Sequence, residues 1–147
     1  MTFKAIGNFF LALLLTFPVS ASAFTISGSG NSNLKGWQTK ELSFKLNATS
    51  CAGLSQAVVE QAIADAFDAW NHVSNASLTL TYAGTTTTSA AAATGGTATD
   101  YPVIICDPNF NTTTGNAGNN GVTGVGTFAT NASNEITKGY LLLNADT

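Results

Sequence analysis

Few side chains in this sequence could do chemistry, and the types present exclude the commoner catalytic sites. The one histidine, His72, follows Asp68 by four residues. A zinc site needs several His, Cys or carboxylate ligands, and a serine-hydrolase site needs a nucleophile in a setting such as Gly-x-Ser-x-Gly. His72 has neither partner nearby in the sequence. We therefore predict that it closes a helix, where a basic residue suits the dipole and pairs with Asp68.

Asp65 and Asp68 are the nearest thing to a pair of catalytic carboxylates. They lie three residues apart, on the side of the predicted helix that faces away from Ile63, Phe67 and Trp70. Glycosidase carboxylates must oppose each other across a cleft, and two on one exposed helix face cannot flank a sugar. The pair predicts a solvated helix face.

Cys51 and Cys106 are the two cysteines, separated by 55 positions. If the protein is exported, a disulfide between them can persist, and it would contribute on the order of 4 kcal/mol in the chain-entropy model. The alternative is two unpaired buried thiols. Two cysteines without neighbouring histidines are too few for a zinc cluster.

The N-terminal residues have the layout of a secretory signal peptide. Lys4 precedes the apolar run 9–17, and Ala21-Ser22-Ala23 is a small-x-small cleavage site. The apolar run covers only about half of a ~30 Å hydrocarbon core, which disfavours the alternative of an uncleaved membrane anchor. We predict a signal peptide over residues 1–23, a flexible entry segment over 24–36, and a secreted protein with no membrane association after cleavage.

The charge balance argues against nucleic acid as a partner. Loss of Lys4 with the signal leaves four lysines, no arginine and eight acidic residues, a net charge of −4. Nucleic acids and anionic membrane surfaces attract clustered Lys and Arg, which this chain lacks.

Five segments read as strands. Apolar and polar residues alternate in "WQTKELSFKLN" and "ASLTLTY", which predicts two half-buried strands. "YPVIICD" is short and β-branched and predicts a buried strand, and two more follow in "VTGVGTFAT" and "ITKGYLLLNADT". Residues 85–99 are of low complexity and predict a mobile surface loop, and "PNFNTTTGNAGNNG" predicts a second loop.

Between the first two strands the apolar period changes to that of a helix of some 18 residues, about 27 Å long. Ser55 is the predicted N-cap, Leu54 before it can pack on the fourth helical residue, and Ser74 and Asn75 supply the stop. The predicted fold is α+β, with a mostly parallel or mixed twisted sheet of four to five strands and one long helix packed on it. The predicted buried stripe consists of Val59, Ile63, Ala66, Phe67, Trp70 and Val73.

The order of these elements, with Trp37 before "ELSFKL", then "VVEQAIADAFDAWNHVSNASLTL" and "GVGTFATNASNEITKGYLLLNAD", resembles the N-terminal part of a matrixin-type metzincin, a family of secreted zinc endopeptidases. The resemblance covers roughly residues 36–146. It implies that residues 37–147 are a partial metallopeptidase catalytic domain.

In that family the strand similar to "VGTFAT" borders the active-site cleft, and an extended protein or peptide substrate adds to it as an antiparallel strand. Glycine at such an edge allows a close approach of the substrate backbone. The alternative is an ordinary strand weakened by glycine. The resemblance places the substrate-binding edge at Val125, Gly126, Thr127, Phe128 and Ala129.

This sequence departs from the family at its metal sites. Gly126 and Leu142 stand where matrix metalloproteinases carry structural zinc ligands, so we expect no structural zinc. Of the calcium-binding carboxylates Asp107 and Asp146 remain, and most of the six or more oxygen ligands of a calcium site would have to come from Asn and carbonyl groups.

The catalytic motif His-Glu-x-x-His-x-x-Gly-x-x-His is absent from residues 1–147. The resemblance therefore implies a zinc-dependent endopeptidase whose zinc ligands lie beyond this sequence, and we expect these residues alone to be inactive. The alternative, suggested by the Thr- and Asn-rich composition, is a non-enzymatic, adhesin-like secreted or surface module; its predicted amphipathic helix is unusual for such modules.

Overall fold

The computed structural model describes residues 33–74, 77–115 and 121–146, all within one compact unit. These ranges form a five-stranded mixed sheet and three helices, which confirms the predicted α+β class. The helices are one of 16 residues and two of five, where the sequence predicted a single helix of about 18. In chain order the elements are β1 Glu41–Asn47, α1 Gln56–Asn71, β2 Thr79–Thr85, α2 Ala90–Thr94, β3 Val103–Asp107, α3 Phe110–Thr114, β4 Gly124–Thr130 and β5 Ile136–Asn144.

The sheet has the strand order β2-β1-β3-β5-β4. β1 pairs in parallel with β2 and β3, and β3 pairs in parallel with β5. β4 is antiparallel to β5, with Thr127 opposite Tyr140 and Gly126 opposite Leu141. β2 and β4 are therefore the two edge strands.

α1 packs on one face of the sheet, which we call the α1 face. Ser55 is its N-cap, as predicted, and the Ser55 side chain accepts a hydrogen bond from the Val58 amide at 3.4 Å. Val59 and Ile63 are buried, and the rings of Phe67 and Phe44 lie 5.2 Å apart. The sheet residues of this apolar cluster are Phe44, Leu46, Tyr82, Ile104, Cys106, Leu141 and Leu143.

The last turn of α1 departs from the predicted stripe. The helix ends at Asn71 with His72 as its C-cap, and Ala66 and Val73 are exposed. Trp70 is 62% exposed. The Asn71 side chain contacts β2, the outermost strand, so this turn lies beside the edge of the sheet rather than over its apolar face.

Two helices cover the opposite face, which we call the α2 face, where the sequence predicted only loops. Ala93 of α2 is 2% exposed and Phe110 of α3 is fully buried, both against Val103, Ile105 and Leu142 of the sheet. Alanine adds little apolar area, but its small side chain lets α2 approach the strands closely. The low-complexity segment therefore contains a packed helix.

Cys51 and Cys106 are joined by a disulfide. Cys106 belongs to β3 and Cys51 precedes α1, so the bond ties the start of the helix to the central strand.

The predicted signal peptide, residues 1–23, lies outside the described residues, as does most of the predicted entry segment. Its last residues are held to the sheet: the Lys35 amide donates to Asn134 O at 3.0 Å and the Ile136 amide donates to Gly36 O at 2.7 Å. Residues 35 and 36, the end of the predicted entry segment, are therefore fixed by backbone hydrogen bonds. Within the described residues, no helix is both long and apolar enough to cross a membrane.

Candidate functional site

The residues assigned to substrate binding lie on β4, an edge strand with one neighbour. In an antiparallel ladder, residues alternate between pairs that exchange hydrogen bonds and pairs that do not. The Asn144 amide donates to Thr123 O, so the alternation turns the backbone groups of Gly124, Gly126 and Phe128 away from β5. No hydrogen bond between described residues uses these groups. They form a row of donors and acceptors along the free edge, as strand addition requires.

The other edge of the sheet is blocked by a side chain. The Asn71 amide nitrogen donates to Leu80 O at 2.9 Å, and the Leu80 amide donates to Asn71 Oδ1 at 2.8 Å. The Asn71 side chain thereby occupies both outward backbone groups of one residue of β2, as a neighbouring strand would. An added strand at β2 would have to displace it, whereas β4 carries no such block among the described residues.

The two glycines of β4 differ in their surroundings. A Cβ at Gly124 would lie 2.9 Å from the Leu142 carbonyl oxygen, so β5 itself requires glycine there. A Cβ at Gly126 would meet Leu141 Cδ1 and Tyr140 O only at ordinary contact distances of 3.9 and 3.8 Å. Close packing against β5 therefore explains the glycine at position 124. Of these two glycines, only Gly126 can be explained by the close approach of a substrate backbone.

A cleft of about 330 Å³ lies between α2 and the β4–β5 hairpin on the α2 face. Its walls include Thr127 and Ala129 of β4, Lys138 and Tyr140 of β5, and Tyr101. The Lys138 ammonium lies 5.2 Å from the centre of the Tyr101 ring, a cation–π distance. Burial, and then the neighbouring Tyr101 phenol, raise the pKa of Tyr140, so the Tyr140 phenol is neutral at physiological pH.

A groove of about 380 Å³ runs along the α1 face between α1 and the β3–β5 half of the sheet. Its walls are mostly apolar and include Val58 and Ala62 of α1, Leu141 and Leu143 of β5, and the disulfide. Val58 is 53% exposed although it faces these apolar neighbours. α1 lies closest to β2, and its Phe67 packs on Phe44 of β1. Among the described residues, no other helix covers the β3–β5 half of the α1 face.

Asp107 and Asp146, which the resemblance suggests as calcium ligands, accept hydrogen bonds from two different backbone amides. Asp107 is 3% exposed, and its Oδ1 accepts a hydrogen bond from the Asn109 amide at 3.0 Å while its Oδ2 has no partner. Asp146 accepts instead from the Asn111 amide at 3.3 Å. Calcium needs six or more oxygen ligands, and the described residues bring no three His, Cys or acidic side chains together.

His72 and the helix carboxylates lie away from both cavities. His72 Nδ1 is 2.7 Å from Asp68 O and 3.3 Å from Asp68 Oδ1, and both side chains are about three-quarters exposed. Asp65 is exposed as well. His72 therefore contacts Asp68, as the i, i+4 spacing predicted.

Two side-chain contacts of β2 and β1 involve charged groups. The Tyr82 hydroxyl donates to Glu60 Oε1 at 2.7 Å; this bond lowers the pKa of Glu60, and burial followed by the same bond raises the pKa of Tyr82 to about 12. Lys45 pairs with Asp100 at 2.7 Å and lowers the pKa of that carboxyl.

Sequence reasoning missed the residues that distinguish the two edges and shape the cleft. Asn71 reads as an ordinary polar residue in the last turn of a helix, and its contact with Leu80 depends on how the helix crosses the sheet. Lys138 and Tyr140 are two residues apart in β5, so alternation along the strand could have placed them on one face. Tyr101 lies beside them only because β3 and β5 are neighbours in the sheet, which the sequence does not show. Comparison of the chain with protein-family models, curated proteins and solved structures finds no match.

Proposed function

We propose that residues 37–146 form the substrate-binding part of a secreted zinc-dependent endopeptidase, and that an extended peptide pairs with β4. The observation that carries the proposal is the free edge of β4. There no described residue bonds to the outward backbone groups of Gly124, Gly126 and Phe128, while Asn71 blocks the opposite edge. Peptide segments add to such an edge through main-chain hydrogen bonds.

The apolar groove supports the endopeptidase reading. An amphipathic helix of the same protein, supplied by residues beyond this sequence, would cover its aliphatic walls. β5 brings the chain to this groove, because Ala145 is 5% exposed and lines it one residue after the strand ends. We assign the zinc ligands to that further segment, since the described residues provide none. Zinc, when bound, would activate the water that attacks the peptide bond.

The described residues would bind and orient the substrate. Backbone hydrogen bonds from β4 hold a peptide extended, so the bond to be cut is presented in a defined register. The side chains of Thr127 and Ala129 face the cleft on the α2 face, whereas the side chain of Phe128, 39% exposed, projects from the α1 face.

Peptide binding at β4 can be tested with a Gly126→Pro variant. Proline removes the outward amide of residue 126 and adds a ring toward the free edge, while the ladder to β5 keeps its hydrogen bonds. We expect at least fivefold weaker binding of a labelled nine-residue Thr- and Val-rich peptide, measured by fluorescence anisotropy. Gly126→Ala keeps the amide and serves as the control, with affinity close to that of the unmodified chain. Equal affinities for the proline variant and the control would contradict binding at this edge.

The catalytic assignment is tested by activity and zinc content. Residues 1–147 should cleave no casein, whereas the product of a longer reading frame that encodes His-Glu-x-x-His should contain zinc and lose activity with a chelator. Chelator-sensitive cleavage by residues 1–147 would refute it. A longer product without the motif or zinc would instead favour a binding module.

A further inference from the structure

The cleft on the α2 face contains a positive charge without an acidic partner. The ion pairs among the described residues are Lys45 with Asp100 and His72 with Asp68, so Lys138 belongs to neither. Its recorded contact is the Tyr101 ring, and no acidic residue lines the cleft. Because the protein has a net negative charge, an unpaired ammonium in a concave site is a local exception to its general field.

Strand geometry brings this charge within reach of a peptide on β4. Residues directly opposite in neighbouring strands share a face, so a peptide residue opposite Ala129 places its side chain on the α2 face. Lys138 lies opposite Ala129 on the other side, in β5. Alanine is too short to separate the two, and a long side chain from each flanking strand can meet above it.

We propose that this cleft selects an acidic side chain in the bound peptide, with the Lys138 ammonium as its partner and Ala129 as the gap that lets them meet. The inference rests on the proposed peptide binding at β4 and names the substrate class: extended segments with Glu or Asp at the position opposite Ala129. The Tyr101 ring holds the ammonium over the cleft, and no acidic side chain among the described residues lines the cleft to oppose a carboxylate.

Three peptides that differ at one residue test the charge preference. Each is a nine-residue Thr- and Val-rich sequence with Glu, Gln or Lys at the centre, and its binding to the full chain expressed for export is measured by anisotropy at low salt. A partly exposed ion pair favours the Glu peptide over the Gln peptide by about twofold to fivefold. The Lys peptide should bind more weakly than either, and added salt should shrink the differences.

Variants of Lys138 assign the preference to this residue. Lys138→Gln should bind the Glu and Gln peptides equally, and Lys138→Glu should prefer the Lys peptide. Lys40→Gln removes an exposed lysine distant from the cleft and is the matched control, in which the Glu preference should persist. If Lys138→Gln keeps the preference for the Glu peptide as Lys40→Gln does, the assignment to Lys138 is wrong.

The outcomes separate this inference from the proposed function. If the Gln peptide binds, Gly126→Pro abolishes its binding and Glu gives no advantage, strand addition at β4 holds and the acidic preference fails. If none of the peptides binds, the proposed function itself fails, and this inference with it. Circular dichroism of each variant shows whether a lost preference accompanies a lost fold.

Discussion

Replacing Gly124 of β4 by alanine should destabilise the protein, whereas replacing Gly126 should leave its stability unchanged or raise it. In Gly124→Ala the new Cβ would lie 2.9 Å from the Leu142 carbonyl oxygen, a backbone atom that moves only if the β4–β5 ladder moves. Such overpacking costs about 1–3 kcal/mol. Alanine also lowers the conformational entropy of the unfolded chain relative to glycine, which offsets about 0.4–1 kcal/mol of that cost. We therefore expect a net loss of about 1–2 kcal/mol, or a Tm lower by about 4–8 °C.

In Gly126→Ala the same methyl group meets Leu141 and Tyr140 at ordinary contact distances, so the entropic term acts alone. This variant should be as stable as the parent or more stable, by up to about 1 kcal/mol. Urea unfolding followed by circular dichroism measures both variants against the parent. If Gly124→Ala is as stable as Gly126→Ala, Gly124 is not closely packed against β5, and the two glycines do not have the different roles assigned to them.

Two further predictions concern the disulfide and the Tyr82 phenol. Replacing Cys51 and Cys106 together by Ser should lower the unfolding free energy by an amount on the order of 4 kcal/mol, measured by urea unfolding; a parent protein insensitive to a thiol reductant would contradict this. The pKa of Tyr82, about 12, exceeds the ordinary value of 10, so the folded state holds this proton more tightly. Its stabilising effect should be complete below pH 10 and decline between pH 10 and 12, and Tyr82→Phe should show a shallower decline in Tm over that range. The pKa of Glu60 is lowered, so its stabilising effect is lost as the pH falls below about 4.5. Tyr82→Phe removes the hydrogen bond that is the largest cause of this lowering, so the loss of Tm at acid pH should be smaller in the variant. An unchanged loss of Tm at acid pH would count against the hydrogen bond.

Periodicity predicted the elements that bury a continuous apolar stripe. Alternation in β1 and β2 and the β-branched run of β3 were sufficient, because exposure alternates along β2, the apolar Leu42 and Leu46 of β1 are buried, and all of β3 is buried. α1 was predicted from Val59 and Ile63, which do face the sheet. Trp70 was placed in the same stripe wrongly, because a helical period cannot show that the sheet ends before the helix does.

The two short helices could not be predicted from apolar content. α2 packs through Ala93 in an Ala- and Thr-rich segment, and α3 packs through one residue, Phe110, within Asn and Thr. Both depend on close approach to β3 and β5 rather than on any amphipathic pattern of their own. The cleft could not be predicted from the sequence for the same reason, since one of its walls is α2.

The candidate site was predicted in part. The sequence placed residues 125–129 on one strand, but which strand lies at an edge depends on pairing between segments distant in the chain. Alternation gives the faces of β5 and thus puts Lys138 with Tyr140. It gives no information on Tyr101, which the parallel pairing of β3 with β5 brings to the same face.

The difference between the two sheet edges supports the proposal that a peptide partner pairs with β4. An unpaired edge invites association with other chains, and proteins protect such strands with charges, proline, bulges or a covering group. β2 has such a cover in the Asn71 amide, which bonds to Leu80 on both sides of its α-carbon. β4, "GVGTFAT", contains neither a charge nor proline, and its one irregularity lies at its last residue, Thr130. A strand with this sequence at a free edge is a liability unless something regularly pairs with it, which is why we place the binding function there rather than at the exposed end of α1.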